Sequence, residues 1–390
     1  MATDVGMRNE EKKSVSIEAI RKKFSEWGCW PYQYQMYNLH EGFRDISRLP
    51  YPLSMSSSRE VLMDDDDGFY EECKRYQGFD FSIEPTMVGE AKHCSYSELD
   101  KMTNFKNPAE IQKTFTGRLF HGIIVEGSVT RPAIVKTWDY LLPMKPGNAP
   151  RLDKFCDEIE LLTDERANTH PNLVKLYRYC FDTRLAVVYD AKFTSVLLSD
   201  VLLSDDFGWN DRMKVATQLA DLFSWLHDKG TAVGCVTASC IMIDEEVNIK
   251  VFDFGYVSNH VNEDTNIPVK VRVGSDAPEI WEGKRSMKSD VYIFGVLLLK
   301  LIAKNEFICR GPYQLDWIVI DEAKRGERYL VHECFEEVDY SNAFEITLLA
   351  FLCLNLDHPD KRPTMKDVVY ALKLMQARMK KRKRDENEAE

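Results

Sequence analysis

Between residues 107 and 190 the apolar positions follow the short alternating pattern that is typical of β-strands. Four such runs can be read from the sequence, and they are RLFHGIIVEG, RPAIVKTW, LVKLYRYCF and LAVVYD. One run with helical spacing, RLDKFCDEIELLTDE, separates the second strand from the third. This part of the chain therefore predicts a small, strand-rich unit that contains a helix.

The second half of the chain is predicted to be helical, because its apolar residues recur every three or four positions. Three runs have this spacing, and they are WNDRMKVATQLADLFSWLHDKG, KSDVYIFGVLLLKLIAK and NAFEITLLAFLCLNL. A last helix is predicted after Thr364, which can cap it together with Asp367 at the third helical position. Its apolar face consists of Val368, Leu372, Met375 and Met379. The order of strands and helices predicts an α+β fold with a small β-rich N-lobe and a larger helical C-lobe.

The first 95 residues have a different pattern. A short helix is predicted after Ser16, with one apolar face formed by Ile17, Ile20, Phe24 and Trp27. The aromatic and acidic stretches that follow show no sustained period, and aromatic side chains of this kind favour packing against the main domain over a binding surface. We therefore expect three parts: an N-terminal extension over 1–95, a folded domain over 107–376 and a charged tail over 377–390.

Composition limits the classes of function. A chain of 390 residues with 44% hydrophobic residues can bury a large core, and its net charge of −12 argues against a general nucleic-acid binder. The sequence has no run of about 18 apolar residues, so it predicts no transmembrane segment. Ten cysteines without a C-x-x-C pair favour reduced thiols over disulfides. We therefore expect a soluble, cytoplasmic protein.

One basic run interrupts the acidic pattern. It comprises Lys380, Lys381, Arg382, Lys383 and Arg384. Such a run is typical of a nuclear import signal and equally of a solvated helix end. A nuclear location, and a nuclear regulatory function addressed by this tail, therefore stay open as alternatives.

The motifs, taken in order, resemble those of eukaryotic protein kinases and specifically the receptor-like kinases of plants. The resemblance covers roughly residues 107–376. The motifs that carry it are AIVK ending at Lys136, FCDEIELL with Glu158, HPNLVKLYRYC, AVVYD through Tyr189 and Asp190, DFG from Asp253, APE ending at Glu279, SDVYIFGVLLL with Asp290, and DKRPTM with Arg362.

This resemblance implies a nucleotide pocket. Lys136 would contact the phosphates of ATP when Glu158 orients it, and Asp253 would hold Mg²⁺. The other pocket residues that the resemblance implies are Gly117, Tyr189 and Asp190. A purely structural ion pair between a strand and a helix is the alternative for Lys136 and Glu158.

The residues that would act as base and as second metal ligand are absent. The family's His-Arg-Asp falls on Val233, Gly234 and Cys235, and its metal-binding asparagine falls on Cys240. A thiol with a pKa near 8.5 is mostly protonated at neutral pH and is a soft ligand that suits magnesium poorly. We therefore expect no catalytic residue in this loop, and cysteine as an apolar filler is favoured over a redox pair.

Two further departures concern the loops around the nucleotide. The family's G-x-G-x-x-G aligns on Gln112, Thr114 and Gly117, so only the last glycine is kept. Side chains at the first two positions hinder the close approach of backbone to phosphate. The segment VRVGSDAPE is also shorter than in active relatives. We therefore expect ATP and Mg²⁺ to bind weakly or not at all.

The scaffold residues of the family are kept. Glu279 and Arg362 match its buried ion pair, and Asp290 matches the aspartate that braces the catalytic loop. We assign a structural role to all three.

Together these features predict a protein that is not an enzyme: a catalytically impaired pseudokinase that acts as a binding adaptor or scaffold in signalling. It resembles the plant receptor-like cytoplasmic pseudokinases that serve NLR immune receptors, which implies an active kinase or an immune-receptor chain as partner. An atypical serine/threonine kinase with residual transfer is the competing hypothesis.

Overall fold

We describe a computed structural model of the chain. The description covers residues 87–88, 91–105, 110–113, 117–141, 149–164, 169–181, 184–190, 196–234, 236–252, 276–282, 286–304, 330–355 and 358–387. The helix predicted after Ser16 lies outside these residues, as do Asp253 and Cys235.

The described strands, in chain order, are β1 Met87–Val88, β2 Ala91–His93, β3 Glu110–Lys113, β4 Gly117–Glu126, β5 Val129–Leu141, β6 Lys175–Cys180, β7 Arg184–Asp190, β8 Val196–Leu197, β9 Ile241–Ile243 and β10 Ile249–Val251. The described α-helices are α1 Tyr96–Thr103, α2 Ala149–Thr163, α3 Leu198–Val201, α4 Trp209–Asp228, α5 Met287–Ala303, α6 Tyr340–Cys353 and α7 Met365–Asn387. Short 3-10 turns lie at Ala238–Cys240, Pro278–Glu282 and Pro359–Lys361.

The N-lobe contains a seven-stranded sheet in the order β1-β2-β6-β7-β5-β4-β3. All four strands predicted between residues 107 and 190 are in this sheet, which confirms the β-rich N-lobe. Strand β2 pairs in parallel with β6, and the other described pairs in the sheet are antiparallel. The sheet therefore begins before residue 107. The domain bounds of 107–376 stay a prediction.

Helix α1 covers one face of the sheet. Ser95 caps it through a reciprocal pair of hydrogen bonds with Glu98. Leu99 of α1 packs with Phe120 of β4 in an apolar cluster that also includes side chains of β5, β6 and β7. Helix α2 lies on the opposite side, where Phe155 joins the main core.

The C-lobe is built around α5, a helix that is buried along nearly its whole length. Helices α4 and α6 contact α5, and α7 contacts α4, so the predicted helical C-lobe is confirmed. The helix start at Thr364 is also confirmed, because its backbone N–H and hydroxyl donate to Asp367 and its hydroxyl oxygen accepts from the Asp367 amide. Among the described residues, no helix is both long and apolar enough to cross a membrane.

The basic run lies within α7, which extends to Asn387. Arg382 donates to Asp339 at the start of α6, and one turn earlier Arg378 binds Glu345 in a bidentate pair with distances of 2.8 and 2.9 Å. The helix therefore runs antiparallel along α6 at this end, with the two arginines as the link.

Candidate nucleotide site

Lys136 and Glu158 meet at the centre of the N-lobe. Lys136 lies on β5 and Glu158 lies on α2, and the Lys136 Nζ to Glu158 Oε2 distance is 2.5 Å. Their side chains are 1% and 0% exposed. An ion pair this deeply buried is not screened by water, so removal of either partner would leave an uncompensated charge.

Tyr189 fixes the second oxygen of the same carboxylate. It is the penultimate residue of β7, is fully buried, and donates from its hydroxyl to Glu158 Oε1. The Tyr189 ring also lies 5.7 Å from the ring of Phe252. Because both oxygens of Glu158 have a partner, its carboxylate has one orientation, and this orientation positions the ammonium of Lys136.

The other two described residues of the predicted pocket, Gly117 and Asp190, have backbone and surface roles. A Cβ on Gly117 would lie 1.8 Å from the carbonyl oxygen of Thr137, so the close approach of β4 to β5 requires glycine here. Asp190 is half-buried at the end of β7 and accepts from Arg131 at 2.7 Å. Their roles toward a nucleotide stay predictions.

The loop at Val233 and Gly234 is held by Asp290 of α5. The backbone N–H groups of Val233 and Gly234 donate to its two oxygens at 2.7 and 2.9 Å, and His227 Nε2 is 2.8 Å away. Gly234 has a φ of +77°, a left-handed conformation that favours glycine. The glycine at the arginine position of the family therefore fits the backbone of this loop.

Cys240 stands at the position of a magnesium ligand in the family, and it is a poor ligand for that ion. Cys240 is 4% exposed, and its sulfur lies 3.2 Å from Thr237 Oγ1. Magnesium requires oxygen ligands, which a buried thiol does not supply. No cluster of three or more His, Cys, Asp or Glu side chains able to hold a metal occurs in the part of the chain that the structure describes. Cys240 therefore does not fit a magnesium site, and Asp253, the predicted ligand, lies outside the described residues.

Glu279 and Arg362 form a second ion pair, in the C-lobe. Arg362 donates through its two terminal nitrogens to the two oxygens of Glu279 at 2.5 and 3.0 Å, and it also donates to the carbonyl of Lys288. The guanidinium lies 5.1 Å from the centre of the Tyr292 ring. Burial raises the pKa of Tyr292 well above its usual range, so the phenol beside this pair is neutral.

The structure thus brings Lys136, Glu158 and Tyr189 together, and separately joins Glu279 to Arg362. Sequence reasoning missed Trp138, whose ring centre lies 4.0 Å from Lys136 Nζ. Strand alternation carries the signal for it, because residues two apart on a strand share a face.

The sequence model of the family described as protein tyrosine and serine/threonine kinase matches residues 106–372, which is most of the chain. The chain belongs to this protein kinase family. Its relatives are plant receptor-like cytoplasmic kinases, which confirms the resemblance drawn from the motifs.

Three relatives from Arabidopsis thaliana illustrate the similarity. The chain is 29% identical over 297 residues to a PTI1-like tyrosine-protein kinase, covering 71% of this chain and 79% of the relative. It is 29% identical over 343 residues to "Probable serine/threonine-protein kinase PBL11", covering 79% of this chain and 85% of the relative. It is 34% identical over 221 residues to serine/threonine-protein kinase PBL34, covering 52% of this chain and 44% of the relative.

These names correct the expectation that the protein is not an enzyme. The relatives are named as serine/threonine or tyrosine protein kinases, and they point to a kinase. The physical reason lies in the magnitudes. Loss of a general base removes a factor of about 10² to 10⁴, whereas enzymes accelerate reactions by about 10⁶ or more, so a cysteine at the position of the base does not by itself exclude a kinase.

Proposed function

We propose that this chain is an atypical, slow protein kinase that transfers the terminal phosphoryl group of ATP to a protein hydroxyl. The ion pair between Lys136 and Glu158 is the observation that carries this proposal, because it positions a cation on the face of β5 that would meet the phosphates. Positioning and electrostatic stabilisation supply most of the catalysis in phosphoryl transfer.

The residues of the chain would divide the work as follows. Glu158, held by Tyr189, orients Lys136, and the ammonium of Lys136 donates to the phosphate oxygens and offsets their charge. Cys235 stands at the position of the base, and a protonated thiol there accepts a proton from the substrate hydroxyl poorly. The slow step is therefore the removal of that proton.

Replacing Lys136 by alanine is expected to lower phosphate incorporation at least tenfold, because the developing phosphate charge loses its cation. The measurement is transfer from radiolabelled ATP by the purified full chain to itself and to a generic protein substrate. Lys373→Ala is the matched control, since Lys373 is an exposed lysine of α7 that pairs with Asp221. Equal incorporation by wild type and Lys136→Ala would assign the signal to a contaminating kinase and contradict the proposal.

We infer a second function as a binding adaptor in signalling, and one surface of the C-lobe favours it. Four large apolar side chains lie at four-residue intervals along α6 and are 42–68% exposed: Tyr340, Phe344, Leu348 and Leu352. Tyr340 and Phe344 stack with ring centres 6.5 Å apart. We call these four residues the α6 stripe.

The α6 stripe fits a partner helix with an apolar face and basic flanks. Glu333, Glu336 and Glu337 are exposed just before α6, so charge complementarity favours lysine or arginine at that end of the partner. Four aligned apolar residues are the pattern that helix-in-groove recognition uses. An active kinase or an immune-receptor chain would supply such a helix.

Leu348→Asp is expected to weaken partner binding at least tenfold, because it places a charge in the centre of the apolar contact. The partner is first identified by co-purification with the tagged chain and is then titrated, as a purified protein, against each variant. Val125→Asp is the matched control, because Val125 is an exposed valine of the N-lobe. If Leu348→Asp and Val125→Asp bind as tightly as wild type, the α6 stripe is not the docking surface.

We also propose nuclear import through the basic run Lys380–Arg384. An import receptor would have to bind a run that is helical here and whose Arg382 is paired with Asp339.

A further inference from the structure

The indole of Trp138 lies against the key cation of the candidate site. Trp138 follows Lys136 by two residues on β5, so the two side chains share one face of the strand. The ring centre lies 4.0 Å from Lys136 Nζ, within the range of a cation–π contact. Phe155 of α2 meets the same ring edge-on at a centroid distance of 5.3 Å.

The N–H group of this indole is deeply buried. Trp138 is 1% exposed, and its Nε1 atom has no hydrogen-bond partner among the residues that the structure describes. A buried tryptophan normally directs its N–H to an acceptor, because an unpaired buried donor is unfavourable. Phenylalanine or leucine would fill this space without that penalty.

The position of the unpaired donor indicates which acceptor would satisfy it. The charged group over the face of the ring is the ammonium of Lys136, which has donors only. An oxygen that binds to both groups must accept from an ammonium and from an indole N–H, and a phosphate oxygen is suited to this.

We propose that Trp138 is a phosphate-binding residue of the nucleotide site: its Nε1–H donates to a phosphate oxygen of a nucleoside di- or triphosphate, beside the bond from Lys136. This inference rests on the proposed function, which places the nucleotide phosphates at Lys136. It gives the site a donor that partly replaces those of the altered glycine-rich loop.

The test compares two ligands that differ only in their phosphates. ADP and adenosine are titrated calorimetrically into the full chain, as wild type and as Trp138→Phe, which keeps an aromatic ring beside Lys136 and removes the N–H. We expect the affinity for ADP to fall about tenfold and the affinity for adenosine to stay within twofold, as the loss of one charge-assisted hydrogen bond predicts. Trp209→Phe is the matched control, because Trp209 is a buried tryptophan of the C-lobe and its replacement should change neither affinity.

A second measurement does not depend on a variant that folds. In protein labelled with ¹⁵N at its seven tryptophans, ADP is expected to shift the indole N–H resonance of Trp138, and adenosine is not. An indole resonance that ADP leaves in place would overturn the inference.

The calorimetric outcomes separate two failures. If wild type binds ADP and Trp138→Phe binds it equally well, or loses ADP and adenosine alike, Trp138 has only a packing role and the inference is wrong. If wild type binds adenosine and ADP with the same affinity, or binds neither, the phosphates do not meet Lys136 and the proposed function itself fails.

Discussion

Replacing Cys235 by aspartate is expected to raise the rate of phosphoryl transfer about a hundredfold. A carboxylate is ionised at neutral pH and accepts the proton of the substrate hydroxyl, whereas a thiol is mostly protonated. A positioned general base contributes roughly 10² to 10⁴ in rate, and the lower end of this range is appropriate because the glycine-rich loop stays altered. The measurement is the initial rate of transfer from radiolabelled ATP at saturating substrate.

Cys235→Asn is the matched control for this gain. Asparagine has nearly the same shape as aspartate but does not accept a proton at neutral pH, so its rate should stay at the wild-type level. If the aspartate and asparagine variants are equally slow, proton removal does not limit transfer. The altered glycine-rich loop or the missing metal ligand at Cys240 would then be the limiting defect.

Replacing Arg362 by alanine is expected to lower the free energy of unfolding by about 3–5 kcal/mol. The change leaves the carboxylate of Glu279, which is 14% exposed, with the Ser289 hydroxyl in place of its bidentate partner, and an uncompensated charge that is largely buried has a cost of this size. It also removes a donor from the carbonyls of Lys288 and Asn355, which connect the start of α5 to the turn before α7. Urea denaturation followed by circular dichroism gives the measurement.

Arg378→Ala provides a closely matched comparison. Arg378 also binds a glutamate through two nitrogens, at 2.8 and 2.9 Å, but its side chain is 50% exposed. An exposed pair of this kind contributes about 0.2–1 kcal/mol. Losses of similar size in the two variants would show that burial does not set the strength of these pairs.

Features that depend on residues within one helix or strand can be predicted from the sequence. The start of α7 was predicted from Thr364 and Asp367, because a capping box is formed by residues three apart whose hydrogen bonds depend on local geometry. The strands of the N-lobe and the helices of the C-lobe were predicted from apolar spacing, because each buries one face or, for α5, nearly all faces.

Features that depend on contacts between residues far apart in the sequence could not be predicted. Strand β2 has three residues, and its partner β6 lies about eighty residues later, so its local sequence carries no period that a strand prediction could use. The bond from Tyr189 to Glu158 was missed for a similar reason, since it joins the end of one strand to the middle of a helix. Trp138 was assigned to a strand, and its contact with Lys136 follows only when the face of that strand is considered.

The parallel pairing of β2 with β6 has a consequence for self-association. Strand β2 lies beside β6 at Lys92 and His93, and the unpaired backbone groups of β6 would otherwise form an open edge of the sheet. A fragment that starts at residue 107 would lose this strand, and it would also lose Leu99 of α1, which covers Phe120 on the face of the sheet. Such a fragment would expose both an open strand edge and an apolar patch, the two features that promote edge-to-edge aggregation of β-sheets.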